Sequence, residues 1–315
     1  MRVLVFGAGV IGRIYAGRLL AAGHEVAMVC RGATVDELAQ TGIVLRRDGV
    51  LADAAHPALF TDVQAAGCFD IALIAIRRDQ VREALPQLRE IRAVTVVSLI
   101  DLPTGIEELA AALGVERFVP AFPGAAGALR QDGIVDYLEV DQQPTTIGSA
   151  RENSIATELF NSAGFRTATT VNMAAWLQTH AVFIAAFESA IASSTDGVAG
   201  LARDRTAMRS LVLAVREGLR ALEANRVVVL PPSIRVIFLL CPVWFAARYW
   251  SRQLAGPLGM LGMAPHSLAS AHTELPALQD DVRSMLIGQP MSRLESLFAV
   301  QRLGLGTLPA KIRIA

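Results

Sequence analysis

Apolar and polar positions in the first half of the chain follow two alternating periods. A short continuous apolar run, Val3–Phe6, is followed by apolar residues at helical spacing and then by a second run, Val26–Cys30. Further strand-like runs fall at Ile43–Leu45, Ile71–Ile76, Val94–Leu99 and Phe118–Ala121, with helical patterns at Asp79–Leu88 and Ile106–Leu113 between them. That alternation predicts a doubly wound α/β sheet. Ile134–Val140 and Thr145–Ile147 read as an antiparallel hairpin closing it. From Met173 onward only helical spacing remains, over Ala174–Ser193, Arg203–Asn225, Pro232–Trp250, Gln279–Ile287 and Leu294–Leu303. The expected organisation is an α/β domain over residues 1–168 and an all-α domain over 169–315, a length that allows two substantial cores.

Between the first strand and the first helix stands Gly7-Ala8-Gly9-Val10-Ile11-Gly12. Gly7 permits the tight turn, Gly9 lets backbone approach a pyrophosphate, and Gly12 lets the helix pack closely on the sheet. The amides of Val10 and Ile11 then sit at a positive helix end. A Rossmann-type dinucleotide-binding domain is the expectation. At the end of the second strand, where an NAD-binding chain usually places a carboxylate against the ribose, this chain has Arg31-Gly32. A guanidinium there can clasp a 2′-phosphate, which makes NADP(H) the expected cofactor; the alternative is a merely solvated loop arginine. Ligands of open sheets lie beyond the strands' carboxyl ends, so Arg77, Asp101 and Phe122–Gly124 are expected to rim the cofactor cleft, with Arg77 serving a phosphate or a substrate carboxylate.

Composition narrows the classes. Of 315 residues 53% are hydrophobic and 18% charged, with Lys+Arg and Asp+Glu both at 29, so there is no basic footprint for nucleic acid. Cys30, Cys68 and Cys241 lie far apart, without metal-ligand or disulfide spacing; Cys30 and Cys68 read as small packing thiols, and a reducing cytoplasmic setting is expected. Val227–Trp250 is strongly apolar, but Arg235, Pro242 and Arg248 interrupt it below the roughly 20 residues that a bilayer requires. It reads as a buried helix or a homodimer interface, with no membrane partner.

These residues resemble the ketopantoate reductase (2-dehydropantoate 2-reductase) family. The opening "MRVLVFGAGVIGRIYAGRLLAAGHEVAMVCR" is similar almost position by position, including Gly17, Gly23-His24 and Arg31, and "LIAIRRDQV", "TVVSLIDLPTGIEEL", "TTIGSA" and "AAWLQTHAVF" continue the likeness more loosely. The resemblance implies hydride transfer from NADPH to the ketone of a small 2-oxo acid bound between the domains. It also implies a lysine on the first helix of the second domain acting on the ketone oxygen, an Asn in a strand-end turn, and Ser and Glu near the end holding the substrate. This chain has Gln178 at the lysine position, Arg77 in place of a strand-end lysine, Asp101-Leu102 at the Asn-Gly turn, and Val182 and Ala186 where helical asparagines fall. An amide donates a hydrogen bond but delivers no proton at neutral pH. His180 is the candidate replacement acid with Asp101 as its partner, although two helical positions place it about 200° around from Gln178. Near the end His266, Ser267, His272 and Glu274 stand where the family holds substrate; Ser267, His272 and Glu274 are the expected contacts, and helix capping is the plainer alternative. An NADP(H)-binding sensor or scaffold without turnover is the rival expectation.

Overall fold

The computed structural model describes residues 1–148, 154–265, 267 and 274–306, and the chain divides into two compact units, Met1–Met173 and Ala174–Ala315. Among its described residues the first unit carries twelve strands: β1 (Arg2–Phe6), β2 (Glu25–Val29), β3 (Val44–Arg47), β4 (Val50–Leu51), β5 (Ala58–Phe60), β6 (Cys68–Ile74), β7 (Arg92–Ser98), β8 (Phe118–Phe122), β9 (Ala125–Leu129), β10 (Ile134–Glu139), β11 (Thr145–Gly148) and β12 (Thr167–Thr170). Eight of them form one sheet in the order β12-β11-β8-β7-β6-β1-β2-β5. All neighbours in it are parallel except β8 and β11. The central strands are apolar on both faces because both faces are covered: Val3, Leu4, Val5, Ile71, Ala72, Leu73 and Ile74 are fully buried. Strand order reverses at β1, with β2 on one side and β6 on the other, and the first helix, α1 (Val10–Ala21), leaves β1 at that point.

The remaining four strands form a second sheet, β4-β3-β10-β9, which the sequence pattern did not anticipate. It covers the outer side of α1, which explains why this helix is buried from Gly12 through Gly17 and again at Leu19. Contact is close: a Cβ on Gly17 would lie 2.8 Å from Leu45 Cδ1 of β3. Arg18 closes the seam, donating from Nη1 to Glu139 of β10 at 2.8 Å.

The expected closing hairpin is corrected by this arrangement. Ile134–Glu139 pairs antiparallel with β9 and parallel with β3, whereas Thr145–Gly148 pairs with β8 and β12 in the large sheet. A tight turn, Gln143 N–H to Val140 O at 3.0 Å, precedes Pro144, and the chain passes to the other sheet, where Thr145 Oγ1 meets the buried Tyr15 hydroxyl at 2.6 Å. Pairing of Thr167–Thr170 with β11 keeps the chain in the first unit up to Met173, beyond the expected cut at residue 168.

The second unit is helical in its described residues: Met173–Ala192, Gly197–Arg203, Arg205–Ala224, Val243–Ala255, Glu274–Met285 and Ser292–Gly306. The single helix expected over Pro232–Trp250 is broken. Pro232–Arg235 runs into a π turn at Val236–Leu240, Cys241 is extended, and Pro242, which has no N–H for the ladder, caps a new helix. Phe183, Phe187, Phe238 and Trp250 form a buried aromatic cluster, Phe187 and Trp250 with ring centroids 4.9 Å apart. Among the described residues no helix is long and apolar enough to cross a membrane. Cys30 is buried as a packing thiol, but Cys68 is exposed at the first position of β6, which corrects its reading as a packing residue.

Candidate functional site

The glycine turn is held by strands on both sides. Gly7 N–H donates to Val29 O of β2 at 3.0 Å, and Ala75 N–H donates to Phe6 O at 2.9 Å, so β1 ends between its two parallel neighbours. Gly7 has φ +110°, and a Cβ there would lie 2.5 Å from Ala75 O and 2.8 Å from Ile76 Cγ2. A Cβ on Gly12 would overlap the Gly7 carbonyl oxygen. Both residues are therefore glycine for the sake of the fold. Gly9 differs: its φ of −71° and ψ of −175° suit any residue, and a Cβ there would meet no heavy atom within 4 Å. This open space lies at the start of α1, whose first helical hydrogen bond is Arg13 N–H to Gly9 O at 2.9 Å. The amides of Val10, Ile11 and Gly12 precede that bond and have no carbonyl partner within the helix. A cradle of free backbone donors with side-chain-free space before it fits a pyrophosphate.

Arg13, in sequence only an interruption of an apolar run, ties this turn to the segment after β2. Its side chain is 2% exposed, and its guanidinium donates to Ala8 O at 2.9 Å and to both oxygens of Glu37 at 2.7 and 3.1 Å. Glu37 lies on α2 (Ala33–Thr41), the helix that begins just after Arg31-Gly32. The hydrogen bonds from Arg13 hold the Glu37 carboxyl below its usual range. One buried arginine thus couples the glycine turn to the helix that follows Arg31-Gly32. The only sequence signal was a charge in the first turn of a helix that is apolar apart from Arg13 and Arg18.

Arg31 is placed just past the end of β2, about half exposed, and it is already engaged. It donates to Glu83 Oε1 at 3.2 Å and Gln87 Oε1 at 3.1 Å on the helix Val81–Arg89. That pairing is invisible in sequence because its members lie far apart along the chain. Arg77, past the end of β6, forms a two-point ion pair with Asp79 at 3.0 and 2.9 Å, and that bond pulls the Asp79 carboxyl down. Asp101 follows β7 and is half-buried, beside buried Leu102.

In the helical unit Gln178 and His180 share the helix Met173–Ala192 and are both half-buried. Between them Thr179 is buried, donating to Ala175 O at 2.9 Å and accepting from Leu230 N–H at 3.1 Å, so the flanking side chains leave the helix in different directions. His180 stacks on Trp176 one turn earlier, with centroids 5.2 Å apart and an interplanar angle of 12°. Val182 and Ala186 are fully buried core residues. Ser267 is 4% exposed, and among the described residues its hydroxyl finds no hydrogen-bond partner. Glu274 opens the helix Glu274–Met285 and is half-buried. His266 and His272 lie outside the described residues.

Residues 3–152 match the family model described as Ketopantoate reductase PanE/ApbA. No curated protein matches the chain. Solved structures do. A PanE/ApbA family ketopantoate reductase from Ralstonia eutropha is 20% identical, with 96% of this chain and 98% of that one covered at a TM-score of 0.71. A 2-dehydropantoate 2-reductase from Geobacter metallireducens is 16% identical, with 96% and 99% covered at a TM-score of 0.78. A D-mandelate dehydrogenase, in a ternary structure with NADH and anilino(oxo)acetate, is 14% identical, with 98% and 99% covered at a TM-score of 0.74. At these identities the likeness carries the fold.

Proposed function

We propose, from the premise that residues 3–152 are those of a ketopantoate reductase PanE/ApbA family member, that this chain is an NADP(H)-dependent oxidoreductase reducing the ketone of a small 2-oxo acid. The carrying observation is Gly9: a glycine that neither its backbone angles nor its neighbours require, beside three amides with no carbonyl partner in the helix. A bound nicotinamide dinucleotide supplies the hydride. Val10, Ile11 and Gly12 amides hold its pyrophosphate, and Arg31 clasps the 2′-phosphate by exchanging Glu83 for a dianion. Arg77, with Asp79 fixing its guanidinium, attracts a phosphate or the substrate carboxylate. In the helical unit either Gln178 donates a hydrogen bond to the ketone oxygen or His180, on a different side of the same helix, delivers the proton in its place, and Ser267, Glu274 and His272 hold the substrate's polar groups.

NADPH fluorescence titration followed by oxidation assays over a panel of 2-oxo acids tests this reading. NADPH is expected to bind more tightly than NADH, and Arg31→Ala to weaken NADPH alone, by roughly 10- to 150-fold for a lost charge-assisted contact of about 1.5–3 kcal/mol. No affinity for either coenzyme would overturn the reading. Binding with no oxidation across the panel favours the sensor, a second reading motivated by Gln178 at the family's lysine position. Turnover unchanged in His180→Ala removes that residue from the chemistry.

A further inference from the structure

The helical unit contains a cavity of about 370 Å³ that plays no part in the proposed reaction. Arg216, Glu217 and Arg220 of the helix Arg205–Ala224 line it, together with Gln289 and Pro290 in the turn before the last helix and Arg293 in its first turn. Its charges do not balance. Glu217 is committed to the backbone: it accepts from the N–H groups of Arg293 at 2.8 Å and Leu294 at 3.2 Å and from the Ser292 hydroxyl at 3.3 Å. Arg216 is aimed by two carbonyls, Phe238 O at 2.5 Å and Cys241 O at 2.6 Å, which fix its fork but bring no negative charge. Among the described residues no ion pair engages Arg216, Arg220 or Arg293. Burial and then the neighbouring Arg220 push the Arg216 guanidinium below its ordinary value, as expected for cations gathered without a counterion.

We infer that this cavity is a binding site for a small dianionic oxyanion, a phosphate monoester or a dicarboxylate. Three guanidiniums against one carboxylate leave two positive charges for a dianion, and planar forks pair with phosphate or carboxylate oxygens two at a time. The polar end of Gln289, held by Asn225 at 2.8 Å, adds an uncharged wall, and the volume exceeds that of a bare phosphate, leaving room for the group it is attached to.

Isothermal titration at pH 7.5 with inorganic phosphate and, separately, succinate tests the assignment, with chloride added to equal ionic strength as control. Saturable binding of one dianion is expected, falling at least tenfold in Arg220→Gln combined with Arg293→Gln, while the ligand-free melting temperature holds or rises as repulsion is relieved. The tighter of the two probes identifies the chemical class. If the double variant fails to fold, Arg220→Gln alone, on an exposed side chain, carries the comparison. No saturable binding overturns the proposal. So does binding that survives these substitutions, since it then belongs to the glycine turn or elsewhere.

Discussion

Replacing Gly9 by alanine separates what the glycine turn does for the fold from what it does for a ligand. The residue's φ of −71° and ψ of −175° are open to alanine, and the added methyl would meet no atom within 4 Å. The ligand-free protein should therefore lose no more than about 1 kcal/mol, the scale of an N-cap preference. That corresponds to a melting shift of a few degrees at most. The methyl does fill the space before the α1 amides. Holding a pyrophosphate off those donors forfeits one charge-assisted hydrogen bond and part of the helix-end attraction, about 2–3 kcal/mol together, or roughly 30- to 150-fold in affinity. Gly12→Ala is the converse control, because its methyl overlaps the Gly7 carbonyl oxygen. Overpacking of that kind costs about 1–3 kcal/mol, so this variant should melt well below Gly9→Ala. Thermal melts of the ligand-free proteins and NADPH fluorescence titrations read both effects. Wild-type NADPH affinity in Gly9→Ala, or a melting temperature as low as that of Gly12→Ala, would refute the reasoning.

Two further outcomes concern the charged groups of the first unit. The Arg31–Glu83 contact is 3.2 Å long between side chains 51% and 80% exposed, so it contributes at most about 1 kcal/mol. Glu83→Gln should raise NADPH affinity by up to about fivefold and leave NADH unchanged, and equal changes for both coenzymes would show that the carboxylate does not compete with the ribose phosphate. Acid should weaken the first unit. Glu37 is held down by Arg13, and Asp136 by hydrogen bonds from Arg46 and Arg130, so both carboxyls titrate lower in the folded chain than the ordinary 4.5 and 3.8. The unfolded chain then takes up protons first, and the stability these pairs contribute, complete above those ordinary values, drains away as pH falls through the folded ones. Melting temperature measured against pH should fall less steeply below about pH 4.5 in Glu37→Gln than in the wild type; identical slopes would remove Glu37 from the acid response.

Local chemistry along the chain determined a good deal. Gly7, Gly9 and Gly12 at their spacing, between an apolar run and a helical period, specify a strand-turn-helix unit without reference to distant residues, because steric demands and the helix-end charge are satisfied within a few positions. The same holds for the parallel core, where continuous apolar runs mark strands buried on both faces, and for the change to helical spacing from Met173. Tertiary structure alone decided the rest. Ile134–Val140 and Thr145–Ile147 look like a hairpin in sequence, yet the strand formed by the first completes the sheet over α1 and that formed by the second the main sheet, since strand pairing is chosen by the partners on offer and not by order along the chain. Arg31 reads as a waiting cation and is found against Glu83; Arg13 reads as an interruption and is found bridging the turn to α2. Charge partners far apart in sequence meet only after the chain has folded, and opposite charge within a few ångströms, not residue type, settles what each group can still bind.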